Sequence, residues 1–276
     1  MRKIRLIASD LDGTLLRNNK EISPNTREAL KEAAQAGIQF VPATGRSLKS
    51  IPEEILQLPG TEYVLTSNGA AIYSRKEQKR IYERLVPEEA VEALLSIHTE
   101  KDTAIEVFVD GVPFTSREHV EHPERFGATE FGIIYVQKTR RPVEDIRAFI
   151  LEQKGSIDSF DFVCGSQETR MRLKMETEEN VPGIRVTSSV SHLLEIGNAE
   201  AGKGKTLLAL LEMLGISREE AAAFGDADND LDMLQAVKYS VAMGNASQHL
   251  KEAAWEVTGT NEEDGVAQMI RTLMEN

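Results

Sequence analysis

The regular pattern of the chain opens with a near-continuous apolar run over residues 4–8, interrupted by Arg5, that gives way to a mostly polar stretch at 9–14. A run that is apolar at successive positions, rather than at alternate ones, marks a strand buried on both faces; it predicts a strand over 3–9. Ser23 and Pro24 read as the N-cap and first residue of a helix that Gly37 stops, with Leu30, Ala33 and Ala34 on its buried face. A strand over 38–41, a helix over 48–58 and a strand over 62–66 complete a β-α-β-α-β alternation. That alternation predicts a doubly wound parallel sheet.

The alternation then breaks. Residues 71–73 and 80–85 read as a hairpin, and a helix from Pro87 carries Val91, Leu94, Leu95 and His98 on one face, which makes His98 a core residue. Strands over 104–109 and 112–116 flank Asp110-Gly111, a strong hairpin signal. Residues 117–131 give no clear pattern. Beyond them the spacing predicts a strand over 133–137, a helix over 142–154, a strand over 157–163, a helix over 167–178 and a strand over 184–187. From His192 the first pattern resumes, with strands over 193–196, 221–225, 239–243 and 255–258 and helices over 202–214, 228–235 and 247–254. A closing helix places Val266, Met269, Ile270 and Leu273 at helical spacing. The predicted fold class is α/β: a Rossmann-like parallel-sheet core formed by residues 1–84 and 189–276, with an α+β cap domain inserted at 85–188.

A length of 276 residues suits two such domains, and 41% apolar with 28% charged residues is the composition of an ordinary globular protein. The net charge of −13 disfavours nucleic-acid binding and gives no attraction to an anionic membrane. An anionic substrate must therefore meet positive charge supplied locally. Cys164 is the only cysteine, so no intramolecular disulfide forms, and its strand-like neighbours mark it as a packed apolar side chain. The apolar run behind the basic start is too short for a signal peptide, and no stretch has the length of a membrane span. These features together predict a cytoplasmic protein.

Four polar clusters fall at the ends of predicted core elements: Asp10-Leu11-Asp12, Thr44-Gly45-Arg46, Lys203-Gly204, and Gly225-Asp226 with Asn229-Asp230. In open α/β sheets ligands bind beyond the carboxyl ends of the strands, where strand order reverses. With strand order 3-2-1-4-5, residues 221–224 lie beside 4–9 and bring Asp226 next to Asp10. Hard oxygen donors with incomplete protein coordination suit Mg²⁺, which keeps waters and takes a phosphate oxygen. A carboxylate attacking a phosphate ester meets charge repulsion, which a metal and a lysine would offset. Asp10 could then form an aspartyl-phosphate, and Asp12 could protonate the leaving oxygen and later activate water.

These motifs, Asp10-Leu11-Asp12-Gly13-Thr14-Leu15, Thr44-Gly45-Arg46, Lys203-Gly204 and Gly225-Asp226-Ala227-Asp228-Asn229-Asp230, resemble those of the haloacid dehalogenase-like phosphatases. The size and position of the insertion, and Ser67-Asn68-Gly69-Ala70 before it, resemble the Cof-type subgroup with its α/β cap. The resemblance implies a Mg²⁺-dependent phosphatase of small phosphorylated metabolites, sugar phosphates or cofactor phosphates, with the cap closing over the site. It implies Asp10 as nucleophile and metal ligand, and Asp12 as acid/base and as a ligand through its carbonyl. Thr44 and Lys203 would hold the phosphoryl group with the backbone of Leu11 and Gly45. Asp226 would complete the metal shell, Asn229 would touch the phosphate, and Asp230 would support metal or lysine from behind.

Three other readings compete. A phosphomutase or phosphotransferase would share the aspartyl-phosphate and differ in the acceptor. Residues 199–206 match a nucleotide-binding P-loop except that Ala199 replaces the first glycine, and that reading would use Lys205 and Thr206 while leaving Asp10, Asp12 and Asp226 idle. The acid spacing at Asp226, Asp228 and Asp230 resembles a calcium loop, but Leu231 stands where the glycine is needed and Val237 where the glutamate is. His119 and His122 lack a third ligand and read as surface residues.

Overall fold

The computed structural model describes residues 3–275, which fall into two compact units. The first comprises Met1–Gly45, Pro52–Tyr82 and Gly202–Asn276; the second comprises Arg46–Ile51 and Glu83–Ala201. Among the described residues no helix is long and apolar enough to cross a membrane.

The first unit is built on a parallel sheet whose strands run, edge to edge, Glu256–Val257, Tyr239–Ala242, Ala221–Gly225, Leu6–Ser9 and Gln39–Pro42. Leu6–Ser9 lies inside the sheet, between Ala221–Gly225 and Gln39–Pro42, and is fully buried, as its apolar run Leu6-Ile7-Ala8 requires. Its register sets Ser9 opposite Phe224 on one side and Pro42 on the other. The chain therefore leaves all three strands at one rim, where strand order reverses. Tyr63–Thr66 joins the far edge only through the parallel bridges Phe40 to Thr61 and Ala43 to Leu65, and turns back antiparallel into Ala71–Ser74. The helix Pro24–Gln35 starts as its sequence dictates: Ser23 Oγ accepts from Thr26 N at 2.9 Å and Pro24 takes the first helical position. It packs on the closing helix Gly265–Glu275.

The second unit holds a six-stranded sheet in the order Ile184–Thr187, Leu193–Asn198, Ile157–Cys164, Thr103–Val109, Val112–Ser116 and Arg141–Val143. Every pairing is antiparallel but the last. One face is apolar: Ile105, Val107, Phe160, Phe162, Leu194 and Ile196 pack with residues of the covering helices such as Leu94, Ile150 and Leu173. Asp110 and Gly111 make the expected hairpin turn, both at positive φ.

Several expectations are corrected. Residues 193–196 were expected in the core sheet, but Leu193–Asn198 pairs with Ile157–Cys164 and Ile184–Thr187 in the second unit. Its buried Leu194 and Ile196 alternate with Glu195 and Gly197, the pattern of a strand with two unlike faces rather than of a central parallel strand. Residues 133–137 form part of the helix Glu130–Thr139, which Thr129 caps by accepting from Gly132 N at 3.3 Å; the β-branched residues there are overridden by the cap. The helix expected over 48–58 is broken by Pro52 into a short turn at Leu48–Ser50 and Glu53–Leu56. The first of these belongs to the second unit, where Lys49 N donates to Gly111 O at 2.9 Å. The helix expected over 142–154 starts only at Ile146, where Asp145 Oδ1 accepts from Arg147 N and Ala148 N at 3.0 Å; Arg141–Val143 is a strand. His98 lies past the end of Glu88–Ser96 and is exposed, whereas His119, expected at the surface, is buried.

Candidate active site

Asp10 is the first residue beyond Leu6–Ser9, tied to the neighbouring strand by Asp10 N donating to Phe224 O at 3.0 Å. Gly13 then turns the chain at φ +89, and a Cβ there would lie 2.4 Å from Asp226 Oδ2. Both the positive φ and the missing side chain are thus needed for the loop to close over Asp226. Asp10 is buried at 6% exposure and Leu11 is fully covered. Burial, with the charges of Asp230 and Asp12, holds the Asp10 carboxyl well above the ordinary range despite the ammonium beside it.

That ammonium is Lys203. Its Nζ donates to Asp10 Oδ1 and to Asp230 Oδ1, both at 2.6 Å, and no part of the side chain reaches solvent. Two carboxylates outweigh the desolvation of the amine, so Lys203 stays protonated with its pKa raised. Asp230 Oδ2 accepts from the amides of Asp226 and Ala227 at 3.0 and 3.1 Å. Asp230 therefore fixes both the lysine and the Asp226 loop. Lys203 opens the helix Lys203–Leu214, and a Cβ on Gly204 would sit 2.1 Å from Asp232 O; glycine lets that helix approach the Asp230 segment.

Asp226 accepts from Thr14 Oγ1 at 2.8 Å through Oδ1, while Oδ2 lies 3.5 Å from Asn245 Nδ2. Asn245 Nδ2 also donates to Gly13 O at 2.8 Å. Burial pushes the Asp226 carboxyl up to about 6. Asp10, Asp226 and Asp230 each offer an oxygen within 4.8 Å of the others. This donor set fits a hard divalent cation: Asp10 and Asp226 present oxygens at one point, while those of Asp230 are already used by Lys203 and two amides. The Asp12 side chain is half-buried, with Lys20 Nζ donating to Oδ1 at 3.0 Å.

Thr44 is buried at the end of the neighbouring strand; its N donates to Leu65 O at 3.0 Å and its O accepts from Asn68 N at 3.1 Å. Asn229 Nδ2 donates to Asn68 Oδ1 at 3.1 Å. The first unit thus brings Asp10, Leu11, Asp12, Thr44, Asn229, Asp226, Asp230 and Lys203 to the loops beyond one sheet rim. Thr206, by contrast, spends its hydroxyl on Gly69 O at 2.6 Å and Lys205 is exposed, so the P-loop reading has no support. Sequence reasoning missed Asn245 and the link between Asn68 and Asn229. Asn68 sits at φ 51, left-handed for a non-glycine residue, and Asn245 follows the last long core strand, a rim position that the strand-end rule would have flagged.

Fold and site define an α/β protein that gathers carboxylates and a lysine at the carboxyl edge of a parallel sheet. The pattern of the haloacid dehalogenase-like hydrolases matches residues 7–270. Phosphatase YwpJ of Bacillus subtilis (strain 168) is 30% identical over 286 residues, 98% of this chain and 100% of that protein. The 5-amino-6-(5-phospho-D-ribitylamino)uracil phosphatase YwtE of the same organism is 30% identical over 295 residues, 98% of each chain. A crystal structure of a haloacid dehalogenase-like hydrolase from Bacteroides thetaiotaomicron superposes with a TM-score of 0.83 at 29% identity, covering 98% of this chain and 100% of that one. The chain belongs to the haloacid dehalogenase-like hydrolase family, in the Cof-type group that its motifs resemble.

Proposed function

We propose that the protein is a Mg²⁺-dependent phosphatase of small phosphorylated metabolites that works through an aspartyl-phosphate on Asp10. The observation that carries this reading is the buried Asp10 carboxylate, held at 2.6 Å by a lysine that Asp230 fixes from behind. The relatives named as phosphatases support the same reaction class. The division of the chain into a core and an inserted cap, and a cytoplasmic location, belong to this reading as well.

An Asp10 oxygen attacks phosphorus and the bond to the leaving oxygen breaks, giving an acyl phosphate and an alkoxide. Asp12 gives its proton to that alkoxide, then takes one from water as the water attacks phosphorus and frees Asp10 with release of phosphate. Lys203, Thr44, Asn229 and the amides of Leu11 and Gly45 hold the phosphoryl oxygens. Asp10, Asp226 and the Asp12 carbonyl would hold Mg²⁺, whose charge offsets that of the phosphoryl oxygens during transfer. Asp230 positions Lys203 and the Asp226 loop without touching the substrate. The test is phosphate release from a panel of sugar, nucleotide and cofactor phosphates, with Mg²⁺ and with chelator. Asp10→Asn should abolish turnover while the far-ultraviolet spectrum is unchanged; substantial residual turnover would overturn the nucleophile assignment.

A further inference from the structure

No step of the proposed reaction uses Ser67-Asn68-Gly69-Ala70, yet the first unit holds this motif at several points. It follows the strand Tyr63–Thr66, and Ser67, Asn68 and Gly69 stand in succession at φ 50, 51 and 90. The left-handed region suits glycine and is tolerated by asparagine; for serine it is strained. Ser67 is buried at 4% exposure and its Oγ has no hydrogen-bond partner among the described residues, so no side-chain bond of its own offsets the strain. A strained turn persists where its surroundings over-determine it, and such turns gather at functional sites.

The surroundings here are the segments whose residues the phosphatase reading assigns to the phosphoryl group. Asn68 N donates to Thr44 O at 3.1 Å. Thr206 Oγ1, in the first turn of the helix that Lys203 opens, donates to Gly69 O at 2.6 Å. Asn229 Nδ2 donates to Asn68 Oδ1 at 3.1 Å. Asn68 thus touches two of these segments, Thr44 through its backbone and Asn229 through its side chain.

The contact with Asn229 sets a polarity. A carboxamide ends in an acceptor oxygen and a donor nitrogen, and only the donor binds an anion. Turned over, Asn229 Oδ1 would face Asn68 Oδ1, two acceptors with no hydrogen between them, and Asn229 is buried at 8% exposure. The observed sense spends one Nδ2 hydrogen on Asn68, and no acceptor among the described residues takes the second. That second hydrogen is the one left for a phosphoryl oxygen.

We propose that Asn68 is a positioning residue for phosphoryl transfer: its side-chain oxygen holds Asn229 in the sense that offers an N–H to the phosphoryl group, and its backbone sets Asn229 against Thr44. The inference rests on the phosphatase reading for what Asn229 binds, and on the first unit alone for the geometry. The phosphoryl group is common to all esters, so the effect is the same whatever the leaving group. An asparagine present only because it tolerates the left-handed region would be replaceable by glycine.

The experiment uses the full chain with Mg²⁺, p-nitrophenyl phosphate and two sugar phosphates. Asn68→Gly keeps the backbone and removes the acceptor. It should melt close to wild type in chelator, yet lose about tenfold in kcat/KM on every ester, and the inhibition constant of inorganic phosphate should rise about as much. Asn68→Ala, strained at φ 51, should lose stability as well. In an Asn229→Ala background Asn68→Gly should cost nothing more, the mark of one residue acting through the other. Wild-type kcat/KM in Asn68→Gly, additive losses in the double variant, or losses that depend on the ester would overturn the role. A measurement that needs no Asn68 variant is nuclear magnetic resonance titration of isotope-labelled wild type with inorganic phosphate and Mg²⁺, the Asn229 side-chain amide being assigned by its absence in Asn229→Ala. One Nδ2 proton should shift while the other, bonded to Asn68, stays; if neither shifts or both do, Asn68 does not set the amide. A wild type that binds phosphate in this way but releases none from any ester would refute the phosphatase reading and leave the Asn68–Asn229 arrangement standing, so the two failures give different results.

Discussion

Replacing Lys203 by methionine is the most direct test of the site, because the structure fixes what the lysine does. Its ammonium is the shared partner of two buried carboxylates, at 2.6 Å from each. Methionine keeps most of the stem volume and removes the charge, so the loss is electrostatic rather than a cavity. Breaking a buried ion pair from one side costs about 3–5 kcal/mol, since the remaining charge is left uncompensated. The folded-state pKa of Lys203 is raised above the ordinary 10.5, so its contribution is fully present below that value and is lost only as pH rises through the folded value. Neutral pH therefore exposes the whole effect. In acid the deficit should shrink, because Asp10, already held high by burial, takes up a proton once the lysine is gone.

The assay is urea unfolding of Lys203→Met and wild type in chelator at neutral and at mildly acid pH, beside phosphate release with Mg²⁺. The expected result is a deficit of about 3–5 kcal/mol at neutral pH that narrows in acid, with phosphate release lost throughout. Mg²⁺ should restore part of the stability and none of the turnover. Lys205→Ala is the control, its side chain being exposed. A deficit below about 1 kcal/mol, as expected of an exposed pair, would refute the buried-pair argument. So would a Lys205 variant that loses turnover while Lys203→Met keeps it.

Asp226 rises to about 6 from 3.8, so metal-free protein should lose up to roughly 3 kcal/mol as pH climbs through that window, where the folded state alone holds the proton. Calorimetric melting in chelator should show this slope; Asp226→Asn should flatten it and abolish the stabilisation that added Mg²⁺ gives to wild type. His119 has the opposite sign: with a folded pKa of about 4 against 6.5, its contribution is intact above 6.5 and drains away as pH falls towards 4, a loss of roughly 3 kcal/mol. His119→Phe should make the acid limb of the melting curve shallower, and an unchanged limb would contradict the burial argument. Gly13→Ala must place a Cβ 2.4 Å from Asp226 Oδ2 at φ +89. It should keep the fold by circular dichroism and lower kcat by about tenfold or more, since a displacement of the order of 1 Å in a positioned group costs that much or more.

The rim residues were legible in the sequence because each interrupts an apolar pattern where a strand ends. Asp10, Thr44 and Asp226 all follow buried strands, so chain position alone located them, and the strand order supplied their proximity. Asn245 and Asn68 carried no such mark. Single asparagines in loops are common, and their hydrogen bonds to Gly13 O and to Asn229 depend on loops more than a hundred residues apart in the chain. The helix Glu130–Thr139 was obscured for a different reason: Ile133, Ile134 and Val136 favour a strand by local preference, and only Thr129 as a cap and packing around buried Val136 decide otherwise.

The misplaced strand at Leu193–Asn198 has the most to teach, because the signal that would have placed it recurs in two other strands of the same sheet. Ile105-Glu106-Val107, Phe160-Asp161-Phe162 and Leu194-Glu195-Ile196 are one pattern written three times: apolar, acidic, apolar, in the middle of a strand. A central strand of a doubly wound sheet has no face for such an acid, since helices cover both sides. An antiparallel sheet with one face on its core has such a face. The triplet at 194–196 therefore argues for the same sheet as the other two, and three acids at matching positions argue for a face that carries charge. Their register then makes them neighbours. Mid-strand acids are tolerated where each finds a partner, as Glu106 does in Arg140, whose Nε donates to Oε2 at 2.8 Å.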